Sequence, residues 1–206
     1  LNLSDKGQTG GMNPIPLEEL NFLKEKRIEF DSVAEMMLTR SNEIPDKPYV
    51  LYYDEVITYK QVNQRANRVA NFLKTKGIGK GDVVSILIMN SPEVYYAMFG
   101  VQKLGAIAGS INFMLKGPEI AYLLDDSKPK IVFVGSEFME EFDKGYQEAQ
   151  HKPEIVEVVT SAEHKIDLNQ EKLSDILANY PDTEAFVKQQ PDDPFLLLYS
   201  SGTTGK

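Results

Sequence analysis

The sequence of 206 residues has no cysteine. That excludes disulfides, thiolate nucleophiles and cysteine metal sites, and it fits a reducing compartment. Histidine is almost missing too. His151 and His164 stand in separate polar stretches, with no partner pattern for a metal or a general base. No run approaches the roughly 20 apolar residues that a membrane helix needs, and the most apolar stretch, Val94 to Leu115, is interrupted by Gln102 and Lys103. The first residues lack the basic-then-apolar pattern of a secretory signal, so the expected location is cytoplasmic. Positive charge is also short: 22 Lys and Arg face 31 Asp and Glu, a formal net charge of −9. That balance argues against a nucleic-acid surface, which clusters basic residues. A Gly-x-Ser-x-Gly elbow is lacking as well, which counts against a hydrolase serine.

What is present is enough apolar material, 42% of residues, for a real core in one or two domains. Leu1 to Gly11 is polar and glycine-rich, and Leu17 to Glu29 reads as a short charged helix, so residues 1–29 are set apart from a domain over 30–206. Ser32 and Glu35 have capping-box spacing for a helix that ends before Pro45. Tyr49–Tyr53 and Val56–Tyr59 flank Asp54-Glu55 as a hairpin. Thr58 and Gln61 form a second capping box. After it, Val62, Ala66, Val69, Ala70 and Leu73 make one helical stripe, closed by Gly77. Gly77-Ile78-Gly79-Lys80-Gly81-Asp82 has the glycines of a dinucleotide loop in the wrong place, between a helix and a strand, and reads as a tight connection.

The second half alternates. Val83–Met89 reads as a buried strand, and Ser91-Pro92-Glu93 as a helix start with Ser91 as its cap. Val94–Leu104 is apolar on nearly every face, which predicts a helix between layers. Ile107–Ile111 is a strand, Gly117-Pro118-Glu119 a helix start with Ile120, Leu123 and Leu124 inward, and Ile131–Val134 a strand. Ser136 is expected to cap a helix towards Gln150. Ile155–Thr160, a strand, and Leu173–Ala178, a helix, precede a polar surface connection over Asn179–Pro194. The pairs Asp125-Asp126 and Asp192-Asp193 fall at element ends, where solvation accounts for them. The alternation predicts an α/β fold: a mostly parallel, doubly wound sheet flanked by helices.

The chain closes on its most informative stretch. Phe195-Leu196-Leu197-Leu198-Tyr199 is an unbroken apolar run behind Pro191-Asp192-Asp193-Pro194, as expected of a strand buried on both faces. Ser200-Ser201-Gly202-Thr203-Thr204-Gly205-Lys206 cannot continue it. Two glycines, four hydroxyls and a lysine can turn successive N–H groups towards one point and cradle phosphates. An ordinary turn is the alternative. A Walker A loop fails on spacing, since its first glycine would fall on Ser200.

Tyr199 to Lys206 resembles the signature loop of the adenylate-forming superfamily, which holds the acyl-CoA synthetases, the adenylation domains of peptide synthetases and firefly luciferase. Other phrases are similar to the N-terminal region of the acyl-CoA synthetases: Thr58-Tyr59, Asn63-Gln64-Arg65-Ala66-Asn67, Lys80-Gly81-Asp82-Val83-Val84, Asn90-Ser91-Pro92-Glu93 and Lys103-Leu104-Gly105-Ala106. The family loop runs on to Pro-Lys, and Lys206 stands at a position the family leaves variable. The resemblance implies the N-terminal part of a large domain whose remainder lies downstream. It implies a ligase that joins a carboxylic acid, a fatty acid first, to ATP as magnesium complex and then to coenzyme A, whose site lies outside this stretch. Ser200, Ser201, Gly202, Thr203, Thr204, Gly205 and Lys206 are the implied nucleotide-phosphate residues. No catalytic residue and no resident metal are assigned within the chain. A homodimer is left open, and a peptide-synthetase adenylation domain or a non-catalytic phosphate-binding module are the alternatives.

Overall fold

The computed structural model describes residues 29–160 and 171–199. Helix α1 (Val33–Glu43) starts on Ser32, whose hydroxyl accepts from the Glu35 N–H at 3.1 Å. Only half of the expected capping box forms, because the Glu35 carboxylate turns to the Asp31 N–H instead, at 2.8 Å. Strands β1 (Pro48–Tyr52) and β2 (Glu55–Thr58) form an antiparallel hairpin. Its turn falls on Tyr53-Asp54, one residue earlier than expected, with Tyr53 at φ 50°.

Helix α2 (Tyr59–Thr75) begins on a complete capping box. The Gln61 N–H donates to the Thr58 hydroxyl at 3.3 Å, and the Thr58 N–H donates to the Gln61 side chain at 2.9 Å. Its predicted stripe is fully buried. The glycine-rich connection then turns tightly: Gly77 and Gly81 adopt φ 71° and 82°, and the Asp82 carboxylate accepts from the Gly79 N–H.

Next come β3 (Val83–Leu87), α3 (Pro92–Lys103), β4 (Ile107–Ser110), α4 (Gly117–Ser127), β5 (Ile131–Gly135), a 3₁₀ turn (Ser136–Phe138), α5 (Met139–Glu148) and β6 (Glu154–Val158). The two-residue β7 (Glu171–Lys172) escapes pattern reading. Helix α6 (Leu173–Asn179) follows, then a strap over 180–195, then β8 (Leu196–Leu198). Two serine caps are not as expected. Ser91 opens α3 by backbone conformation alone, and Ser136 lies inside the 3₁₀ turn, so α5 starts at Met139.

Six strands form a wholly parallel sheet in the order β7-β6-β5-β3-β4-β8. Two apolar clusters cover its faces. One joins α1, α2, α3 and α6 to Val84, Ile86, Phe133 and Val156. The other joins α4 and α5 to Leu87, Val132 and Val134. Helices on both faces make the sheet doubly wound, and α3 lies between the sheet and α2, as its all-round apolarity requires.

Strand β8 departs from expectation. The run over Phe195–Tyr199 is not buried on both faces: among the described residues β8 pairs only with β4 and stands at the edge of the sheet. Leu196 and Leu198 share a face with Ala108 and Ser110 of β4 and remain 38% and 66% exposed. An apolar run marks a strand that is meant to be covered, but sheet position decides whether a neighbour does so.

Candidate functional site

In an open parallel sheet, loops at the carboxyl ends of the strands converge where strand order reverses. Here the chain passes from β3 outward to β4, then back across β3 to β5, so the reversal lies between β3 and its two neighbours. A cleft of about 790 Å³ opens at those carboxyl ends. Ile86 and Ile88 line it from the end of β3 and just beyond, Ser110, Ile111 and Phe113 from the end of β4 and its loop, Tyr122 from α4, and Leu198 and Tyr199 from the end of β8 and just beyond. Its lining is mostly apolar. The polar groups at its mouth include Asn90 and Asn112, whose side-chain oxygen accepts from the Met114 N–H at 2.9 Å and so holds the β4–α4 loop turned. Phe113 is half exposed and stacks on Phe138 with centroids 5.9 Å apart.

Tyr199 is pinned at this edge. Its hydroxyl donates to the Asp126 carboxylate of α4 at 2.6 Å. Partial burial, then that carboxylate, pushes the phenol up to about 12, so it remains a neutral donor at physiological pH. Asp126, expected to be merely solvated, therefore fixes the residue that precedes the predicted phosphate residues. Its neighbour Asp125 accepts from the His151 N–H at 2.7 Å, and the His151 ring nitrogen lies 2.7 Å from the Pro129 carbonyl. His151 is a structural tie. His164 and the seven predicted phosphate residues, Ser200, Ser201, Gly202, Thr203, Thr204, Gly205 and Lys206, lie outside the described residues.

The approach to β8 is held from behind. The side chain of Lys103, at the end of α3, is fully buried and donates to Glu184 of the strap at 2.7 Å. Burial draws the Lys103 ammonium below the ordinary lysine value, while Glu184 opposes the shift. Burial alone would raise the Glu184 carboxyl, but the Lys103 ammonium, Asn63 and the Phe186 N–H outweigh it and hold it low. Asp193, also expected to be solvated, pairs with Lys80 at 2.7 Å. Pattern reading missed Lys103 and Glu184, since a lone charge in an apolar helix reads as an interruption. The signal available was Lys103 itself, a cation at a position the helix must bury.

The comparisons agree with this geometry. The model of the family described as AMP-binding enzyme matches residues 38–206. The chain belongs to the AMP-binding enzyme family. Among curated relatives, it is 31% identical to 3-hydroxybenzoate–CoA ligase of Aromatoleum sp. (strain CIB) over 79% of its own length and 30% of the relative's. It is 35% identical to long-chain-fatty-acid–CoA ligase FadD13 of Mycobacterium tuberculosis, over 74% of its own length and 28% of the relative's. Among solved structures, anthranilate CoA ligase AuaEII in complex with anthranoyl-AMP superposes with a TM-score of 0.77 at 30% identity, covering 84% of this chain and 32% of that one. The chain thus spans about a third or less of the length of these relatives. Among the described residues, no helix is long and apolar enough to cross a membrane, and no group of three His, Cys, Asp or Glu could hold a metal ion.

Proposed function

We propose that this chain is the N-terminal part of an ATP-dependent, AMP-forming acid–CoA ligase, with residues 30–206 contributing an incomplete α/β domain that ends in the phosphate loop. A carboxylate oxygen attacks the α-phosphorus of ATP, the bond to the bridging oxygen breaks, and pyrophosphate leaves with its electron pair. The sulfur of coenzyme A then attacks the acyl carbonyl carbon and gives up its thiol proton, the bond from that carbon to the phosphate oxygen breaks, and AMP leaves with the electron pair, so that a thioester remains. Magnesium enters as the counter-ion of ATP.

The observation that carries the reading is the path of β8. It runs parallel to β4, opens at the carboxyl edge beside the cleft, and is anchored there through Tyr199 and Asp126. Ser200, Ser201, Gly202, Thr203, Thr204 and Gly205 follow at once. Their N–H groups and hydroxyls suit the β- and γ-phosphates and the charge that develops as pyrophosphate departs. Lys206 joins them as a neighbouring cation. The substrate is an acid with an apolar body. A fatty acid is the reading the sequence implies, and an aromatic acid is the second reading, favoured by the hydroxybenzoate and anthranilate ligases among the relatives.

Carboxylate-dependent exchange of labelled pyrophosphate into ATP by the full-length gene product tests this. Fatty acids of graded length and substituted benzoates form the panel. Exchange with members of one series assigns the class, and no exchange with any acid overturns the ligase reading.

A further inference from the structure

The strap over 180–195 crosses α2 and α3 before delivering β8, and one carboxylate gathers it. Glu184 Oε1 accepts from Lys103 Nζ at 2.7 Å and from the N–H groups of Ala185 and Phe186 at 3.1 and 3.0 Å. Its Oε2 accepts from the side-chain amides of Asn63 and Asn67, each at 3.3 Å. The end of α3 repeats the hold through its main chain. The Val187 N–H donates to the Lys103 carbonyl at 2.8 Å, and the Gln189 side chain donates to the Gln102 carbonyl at 2.7 Å. The Gln102 side chain reaches the Phe195 carbonyl at 3.5 Å, and that carbonyl also receives the Ala108 N–H of β4 at 3.1 Å. Two adjacent residues, Gln102 and Lys103, therefore hold the strap at positions 184, 187, 189 and 195.

Two phrases that the sequence offers only as structural, Asn63 to Asn67 and Lys103 to Ala106, meet on this network. Stability is a poor account of it. The Glu184 side chain is 36% exposed, and burying the lysine charge costs more desolvation than an apolar chain of similar length would. What an ion pair with directed hydrogen bonds supplies better than packing is register. We infer that Lys103 and Glu184 are positioning residues for ATP: by clamping the strap they set where β8 enters the sheet and hence where the phosphate loop begins. This rests on the ligase reading.

The test uses the full-length gene product with Lys103→Met, which fills the same space without charge, and Glu184→Gln. Two readouts are taken. In hydrogen exchange, the amides of 196–199 are expected to exchange about tenfold faster in Lys103→Met, with Tm held near the parent value. In pyrophosphate exchange, KM for ATP is expected to rise about tenfold while KM for the acid stays put, since small misplacement of a binding group is costly. Unchanged protection over 196–199 overturns the inference, as does a lowered Tm with both KM values moving together. Should Lys103→Met fail to fold, Glu184→Gln, which keeps an oxygen for the two backbone N–H groups, is read by hydrogen exchange over 196–199 and by the split between the two KM values, a small loss of stability being expected from the missing charge. If the parent shows no pyrophosphate exchange, the ligase reading falls by itself, and hydrogen exchange alone decides whether the clamp sets β8.

Discussion

At the scale of single residues, charge placement separates groups that hold the fold from groups that only face water. Glu184 is the case with a measurable pH signature. Its folded carboxyl lies below the ordinary value of 4.5 because Lys103 and the neighbouring donors favour the ionised form. A depressed carboxyl contributes stability above its unfolded pKa and loses it as pH falls through the folded one. The urea midpoint of Glu184→Gln should therefore lie below that of the parent at pH 7, and the gap should narrow as pH drops below about 4.5. A gap that is constant with pH would mean that the ionised carboxylate contributes nothing. Gly100 makes a second residue-scale prediction, on packing. A Cβ there would come within 2.6 Å of Val69 Cγ1 and 3.1 Å of the Ala66 carbonyl, since α2 and α3 touch at that point. Gly100→Ala should cost about 1–3 kcal/mol in denaturant unfolding. In an open helix the same change would stabilise by about 0.5–1 kcal/mol, and that sign would contradict the close approach.

At the scale of elements, the sequence was readable wherever local chemistry decides the outcome. Thr58 and Gln61 announce α2, and the five-residue stripe from Val62 to Leu73 is the face that packs. Elements whose character depends on a distant partner were not readable. Leu196–Leu198 and the central strand Ile131–Gly135 are both unbroken apolar runs, yet among the described residues one stands at the sheet edge and the other is buried throughout. Ser32 caps α1 as expected, but the hydroxyls of Ser91 and Ser136 make no cap bond. A cap competes with the next turn, and at Ser136 the 3₁₀ turn took its place. The contrast between strands is testable: Phe133→Ala should cost about 3–5 kcal/mol, whereas Leu198→Ala, at a 66% exposed position, should cost about 0.5 kcal/mol or less. Equal losses in thermal or urea unfolding would show that β8 is covered as a core strand is.

At the scale of the whole molecule, the doubly wound class followed from alternation alone, and the observed sheet is parallel throughout. The position of the cleft followed less directly, because it needs strand order, and order is set by which crossovers lie on which face. The loop's support has shifted accordingly. Among the described residues the strand that precedes Ser200 is an edge strand pinned by Tyr199 and Asp126 and clamped through Lys103 and Glu184, not a doubly buried one. Family membership stands on the match over 38–206 and on the ordered phrases that precede the loop. We propose, as the central claim, that Ser200 to Gly205 grip the triphosphate of ATP. It is tested most directly by acid-dependent ATP–pyrophosphate exchange in the full-length gene product, comparing Gly202→Val and Thr204→Ala with the parent. The expected result is a rate lowered by about 100-fold or more for each variant, the cost of losing a preorganised donor at a developing charge. Exchange at the parent's rate in both variants would contradict it.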